Sequence, residues 1–161
     1  TKESAIWWNP ERLEKAKNKD LSAEEAVILA SIVQAETSNI SEAPIVAGLY
    51  LNRLKIGQAL QADPTLIYAW DDISITRVLN KHQEIDSPYN TYTHAGLPPG
   101  TIRTPEPTYI DAVLNAAEHE FFYMCAEPGG TGKHVFERRY IDHLRNERKY
   151  QKWLNKQNIY R

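Results

Sequence analysis

The sequence predicts an α+β domain that is mainly helical and carries one small antiparallel sheet. Three observations support this. Apolar residues recur at helical spacing in several stretches, and some of these begin at residues suited to capping. Two short runs, 121–126 and 133–137, flank a glycine-rich turn and read as a hairpin. The 161 residues suit one domain, and 42% hydrophobic with 25% charged residues is a balance that fills a core and leaves a solvated surface.

Residues 1–20 are polar apart from Trp7-Trp8, which precede Asn9-Pro10. The aromatic pair is expected to dock this segment onto a body spanning 21–161, with sugar stacking as its alternative use. The first strong helix starts at Ser22, where Ser22 and Glu25 form a capping-box pattern. Leu29, Ile32 and Val33 give it an apolar face, and it should end near 37–39. A second helix should begin at Ser41, with Glu42 and Pro44 in its first turn, and stop at Gly57. Its apolar face holds Ile45, Val46, Leu49 and Leu54. A third, short helix runs through Thr65–Ala69 with Asp63 as its N-cap.

Residues 86–107 hold five prolines (Pro88, Pro98, Pro99, Pro105 and Pro107) with Gly96 and Gly100. This reads as a long loop, and long ordered loops in small domains often carry function. A helix over about 107–117 follows. Then come a buried strand at 121–126, a turn at Gly129-Gly130-Thr131-Gly132 and a partner strand at 133–137. An amphipathic helix over about 139–155 ends the pattern.

Several function classes are disfavoured. The formal net charge of -2 implies no bulk attraction to nucleic acid. Basic residues do gather in Arg138, Arg139, Arg145, Arg148, Lys149, Lys152, Lys156 and Arg161. Glu137, Asp142 and Glu147 interrupt them, so they read as a solvated helix face. The single cysteine, Cys125, lies in an apolar run and reads as a small buried hydrophobe. No stretch is long enough to span a bilayer, and no signal peptide begins the chain. The start at Thr1 reads as a processed or excised product. His82, His94, His119, His134 and His143 show no paired ligand spacing, so neither a metal nor another cofactor is expected. There is no phosphate-binding loop and no nucleophile elbow.

One residue does not fit a plain helix. Glu36 follows Leu29, Ile32 and Val33 at spacings of seven, four and three, which share one helix face. A carboxyl group placed there meets an apolar environment, which raises its pKa and suits a general acid near neutral pH. The pattern alone also admits a marginal residue that reaches solvent. Asp63, in Leu60-Gln61-Ala62-Asp63-Pro64-Thr65, is the other acid in a motif-like setting. Capping a helix would account for it fully.

Six stretches, taken together, carry a resemblance over nearly the whole chain. They are Leu29-Ala30-Ser31-Ile32-Val33-Gln34-Ala35-Glu36-Thr37, Tyr50-Leu51-Asn52-Arg53-Leu54, Leu60–Thr65, Ser87-Pro88-Tyr89-Asn90-Thr91-Tyr92, Gly96-Leu97-Pro98-Pro99-Gly100 and Gly132-Lys133-His134-Val135-Phe136. In order and spacing the chain resembles the YceG-like family of endolytic murein transglycosylases. The resemblance implies that Glu36, the glutamate before threonine in the first stretch, is the catalytic acid and then base. It implies a lytic reaction on peptidoglycan in which the C6 hydroxyl of N-acetylmuramic acid attacks its own anomeric carbon, so no second carboxylate is needed. Many relatives have another glutamate where this chain has Gln34, a departure expected to affect tuning at most.

The resemblance further implies that Tyr89, Asn90, Thr91 and Tyr92 line a glycan cleft. Asn52 and Gln61 either bind N-acetyl groups or brace loops, and Asp63 is a further substrate-side candidate. His134 either lines the cleft or serves as a buried structural histidine. Glycan strands are the expected partner, with the cell-wall synthesis machinery as a further one. The full-length relatives are membrane-anchored and act on the periplasmic or outer face of the cytoplasmic membrane, where they end the growth of nascent strands. Two other readings stay open: a lysozyme-like hydrolase in which Asp63 directs water, and a glycan-binding module without turnover.

Overall fold

Helix α3, Ala23–Glu36, is the centre of the molecule. The sequence gives it one apolar stripe, but the computed structural model, which describes residues 2–157, buries it more widely. Ala26, Ile28, Leu29, Ala30, Ser31, Ile32, Val33 and Gln34 are all buried. The small residues Ala26, Ala30 and Ser31 let neighbours approach on the sides that a stripe model leaves to solvent. Its start is as expected: Ser22 Oγ accepts the Glu25 amide at 3.1 Å, and Glu25 accepts the Ser22 amide at 2.8 Å.

Against α3 pack α2 (Pro10–Lys17), α4 (Ala43–Lys55), α5 (Asp63–Trp70) and α6 (Pro107–Leu114). The N-terminal segment is helical, which the sequence reading did not anticipate. A short α1, Lys2–Trp7, precedes α2, whose first turn is set by Asn9 accepting the Arg12 amide and by Pro10 at its start. Trp7 and Trp8 pack against the core, and the Arg12 guanidinium lies over Trp7 at 4.3 Å.

Two helix starts differ from expectation. Helix α4 begins at Ala43 rather than Ser41, and Glu42 makes no capping bond because its carboxylate is used elsewhere. Asp63 is the first residue of α5 and caps nothing; Ala62 holds the cap position. Gly57 does follow the end of α4, with the positive φ of 69° that favours glycine there.

The sheet has two antiparallel strands, β1 (Tyr123–Ala126) and β2 (His134–Glu137), with Tyr123 opposite Glu137 and Ala126 opposite His134. They are shorter than expected and half-buried, not buried. The reason is architectural: α7, Tyr140–Lys156, packs on the strands and Met124 and Phe136 reach the core, but Tyr123–Ala126 and His134 also border a cleft. Helix α7 has no fully buried residue. Arg161, one of the basic residues singled out above, lies outside the described residues.

The proline-rich segment is ordered by specific bonds. Asn90 is fully buried, and its amide donates to the carbonyls of Gln83 and Ile85 at 2.9 Å each. Its side-chain oxygen accepts the Tyr92 amide. Thr91 ties this turn to the start of α5: its hydroxyl accepts the Ala62 amide at 3.0 Å and pairs with Thr65 at 2.8 Å.

Candidate active site

The helical body and the β1–β2–α7 arm face each other across a cleft of about 630 Å³. On the body side lie Glu36, Tyr50, Arg53, Gln61, Asp63 and Tyr92. On the arm side lie β1, His134 and the inward face of α7, including Tyr140, His143 and Tyr150. A groove of about 770 Å³, lined by Glu24, Gly48, Asn52, Pro98 and His119 among others, shares no residue with it. The acids of the larger groove, Asp20, Glu24, Glu25 and Glu118, are exposed, whereas Glu36 is held by a buried tyrosine, so the Glu36 cleft is the candidate.

Glu36 is the last residue of α3, where the buried stripe meets the cleft. Its Oε1 accepts the Tyr50 hydroxyl at 2.6 Å. Burial raises its pKa to about 7; the Tyr50 hydrogen bond works against the rise, the Asp63 charge adds to it and His134 opposes it. A carboxyl group with that value is partly protonated at neutral pH, so it can give a proton and later take one back.

Tyr50 opens the stretch Tyr50-Leu51-Asn52-Arg53-Leu54, and nothing in that pattern marks it as the partner of Glu36. It is buried with 2% exposure, and its hydroxyl pKa is pushed well up by burial and by Glu36. It therefore stays a donor. Replacing Tyr50 by Phe should remove the one hydrogen bond that holds the Glu36 pKa down. The alkaline limb of the kcat/KM–pH profile is then expected to move to higher pH. A limb that stays in place or moves down would show that this bond does not tune Glu36.

Asp63 accepts a very short hydrogen bond from the Tyr92 hydroxyl. The protein around the Asp63 carboxyl raises its pKa, and the Tyr92 bond partly offsets this. Tyr92 is in turn driven up, by burial first and then by Asp63. Gln61 has a left-handed backbone with φ 50°, uncommon for a residue with a Cβ. Its backbone N–H donates to the Thr91 carbonyl, and the residue lines the cleft. His134 also lines the cleft, and both its backbone N–H and its ring Nδ1 meet the Glu42 carboxylate, at 2.9 and 3.0 Å. That pair pins the start of α4 to β2.

Other sequence candidates are placed differently. Asn90 and Thr91 are 0% and 1% exposed, and their side chains are engaged in bracing the loop. Asn52 donates to the His119 and Phe121 carbonyls and does not line the Glu36 cleft, so bracing is its role here. Tyr89 rests on Tyr68 with ring centres 4.7 Å apart and is not among the cleft residues. The motif that contained these residues is therefore mostly scaffold, with Tyr92 its contribution to the cleft. Cys125 is half-buried and lines the cleft; burial pushes its thiol up to about 11, which keeps it protonated. Among the described residues, no group of three or more His, Cys, Asp or Glu is placed to hold a metal ion.

Gln34, two residues before Glu36, bonds Glu106 twice. Its amide donates to the Glu106 carboxylate at 3.1 Å and its oxygen accepts the Glu106 N–H at 2.8 Å. An amide supplies both partners at once, which an ionised glutamate at this position does not.

The model of the YceG-like family matches residues 1–149. The chain is 35% identical over 137 residues to the endolytic murein transglycosylase of Bacillus subtilis (strain 168), covering 85% of this chain and 37% of that protein. It is 31% identical over 134 residues to the endolytic murein transglycosylase of Streptococcus pneumoniae serotype 2 (strain D39), covering 81% of this chain and 24% of that protein. Its fold is similar to the crystal structure of a YceG-like protein from Listeria monocytogenes, with a TM-score of 0.75, 30% identity, and coverage of 82% of this chain and 42% of that one. The chain thus spans well under half the length of each of these relatives.

Proposed function

The chain belongs to the YceG-like family, and from that premise we propose that it is the catalytic domain of a peptidoglycan lytic transglycosylase. It cuts the β-1,4 bond between N-acetylmuramic acid and N-acetylglucosamine inside glycan strands. The observation that carries the reading is Glu36: a carboxyl group at the family motif, bonded to Tyr50, with its pKa raised to about 7 by burial in a cleft. The names of the curated relatives supply the substrate class.

Protonated Glu36 donates to the glycosidic oxygen as the bond to the muramoyl C1 breaks. The resulting carboxylate takes the proton of the same ring's C6 hydroxyl, whose oxygen bonds to C1. The products are a 1,6-anhydromuramoyl end and a free glucosaminyl 4-hydroxyl, and Glu36 ends protonated as it began. No water enters the balance.

Asp63 favours one second reading. It shares the cleft and is oriented by Tyr92, so a lysozyme-like hydrolase could use it to direct water. Mass analysis of digested strands decides between them. Anhydro ends, lighter than reducing ends by one water, are expected; reducing ends alone would assign hydrolysis.

The wider reading concerns the whole protein. No described helix is long and apolar enough to cross a membrane. We place the activity at the cell envelope, on the periplasmic or outer face of the cytoplasmic membrane, held by an anchor outside this chain. Cutting nascent strands there would end their elongation, in company with the synthesis machinery. Within the chain, residues 21–161 form the catalytic unit and 1–20 a segment packed on it.

A further inference from the structure

Arg53 is a buried cation. It is 5% exposed, yet among the described residues no carboxylate lies within ion-pair distance of it. Nε donates to the Phe122 carbonyl at 2.7 Å, and Nη1 donates to the Ala59 and Leu60 carbonyls at 2.9 and 3.3 Å. Among the described residues Nη2 has no protein partner, and it is not among the buried unsatisfied atoms, so it keeps contact with open space. The guanidinium carbon lies 5.2 Å from the centre of the Tyr123 ring, and Arg53 lines the same cleft as Glu36. Three carbonyls and a ring hold the group rigidly, and one N–H edge is left for the cleft.

A buried guanidinium needs compensation, and a planar carboxylate or carbonyl matches its donors best. Arg53 follows Tyr50 by three residues on one face of α4, about 4.5 Å along the helix axis. Arg53 and Tyr50 thus leave α4 one turn apart, and both line the cleft that holds Glu36. The muramoyl ring that presents its C6 hydroxyl to Glu36 also carries a lactyl group on C3. That group ends in a carboxylate on bare strands and in an amide carbonyl where a peptide is attached.

We propose that the free edge of Arg53 receives the lactyl carboxyl oxygen of the substrate, so that Arg53 positions the muramoyl ring beside Glu36. The inference rests on the transglycosylase reading and names the substrate group that selects muramoyl over glucosaminyl units.

The test uses Glu36→Gln protein, in which turnover is expected to be slowed about 10²–10⁴-fold, and three oligosaccharides of equal length: peptide-free glycan with lactyl carboxylates, the same glycan with those carboxylates converted to methylamides, and a chitooligosaccharide lacking lactyl groups. Calorimetry is expected to rank them in that order, with the carboxylate glycan about tenfold or more tighter than the chitooligosaccharide, as one charge-assisted bond allows. Adding Arg53→Lys leaves a single ammonium to satisfy the backbone carbonyls. It should bring the first two ligands to within about twofold of the third, with chitooligosaccharide affinity unchanged. Equal loss for all three ligands would make Arg53 a brace only. Equal binding of all three by the Glu36→Gln protein would overturn the inference without any change at Arg53, so the test survives a variant that misfolds. If no oligosaccharide binds at all, the glycan reading itself fails, and this inference with it.

Discussion

Glu36→Gln is expected to lower strand cleavage by about 10²–10⁴-fold with the protein still folded. The amide keeps an oxygen to accept the Tyr50 hydroxyl, so the local geometry has no reason to collapse. What it lacks is a proton to give and a charge to take one back. The same substitution has a stability signature. Glu36 has a pKa of about 7 in the folded protein against 4.5 ordinarily, so the folded state binds more protons than the unfolded state between those values. Stability from this group is therefore fully present below about pH 4.5, declines as pH rises to about 7, and is level above. Glutamine does not titrate and should lack that decline. Above pH 7 the variant is expected to be the more stable protein, by about 3 kcal/mol at most. Thermal unfolding from pH 4 to 8 reads this directly. Parallel curves would mean that the Glu36 carboxyl is not held in an environment hostile to its charge. Undiminished cleavage would remove it from the mechanism.

Half of what marks Glu36 is local: helical spacing puts a carboxyl group beside Leu29, Ile32 and Val33, but that spacing also admits a solvent-reaching residue, and only the resemblance of its motif singles it out as the acid. The capping box at Ser22 and Glu25 was legible because both partners lie within one turn. Misreadings arose where a local role was sufficient but a distant partner prevailed. Glu42 suits the first turn of a helix, yet its carboxylate goes to His134, 92 residues away. Asp63 suits an N-cap, yet Tyr92, 29 residues on, takes it. Asn90 looked like a ligand for sugars because an amide has donors and acceptors, but buried carbonyls of its own loop needed those donors first. The helical start of the chain was the reverse case: Asn9-Pro10 is a cap followed by a first-turn proline, a readable signal that the polar composition around it obscured.

Gly48→Ala should destabilise the protein and impair cleavage although the site is outside the cleft. Two effects compete. Alanine favours a helix interior over glycine by about 1 kcal/mol. Against this, a Cβ on Gly48 would lie 2.3 Å from the Ala117 carbonyl oxygen and 2.8 Å from His119 Nε2. Neither neighbour can yield cheaply. The Ala117 amide donates to the Pro44 carbonyl at 3.0 Å, and His119 Nε2 lies 2.8 Å from the Ile45 carbonyl. Asn52, one turn further on, holds the His119 and Phe121 carbonyls. The segment 117–121 is thus clamped to α4 on both sides of Gly48, and the clash should outweigh the propensity gain, for a net loss of about 1–3 kcal/mol. Urea unfolding measures that loss. The functional consequence follows from connectivity: 117–121 leads directly into β1, which forms the arm side of the cleft. Pushing it away from α4 moves that wall relative to Glu36, so kcat/KM should fall under conditions where the variant is fully folded. If Gly48→Ala is as stable as the parent, the segment is free to shift. If it is less stable but equally active, α4 does not fix the width of the cleft.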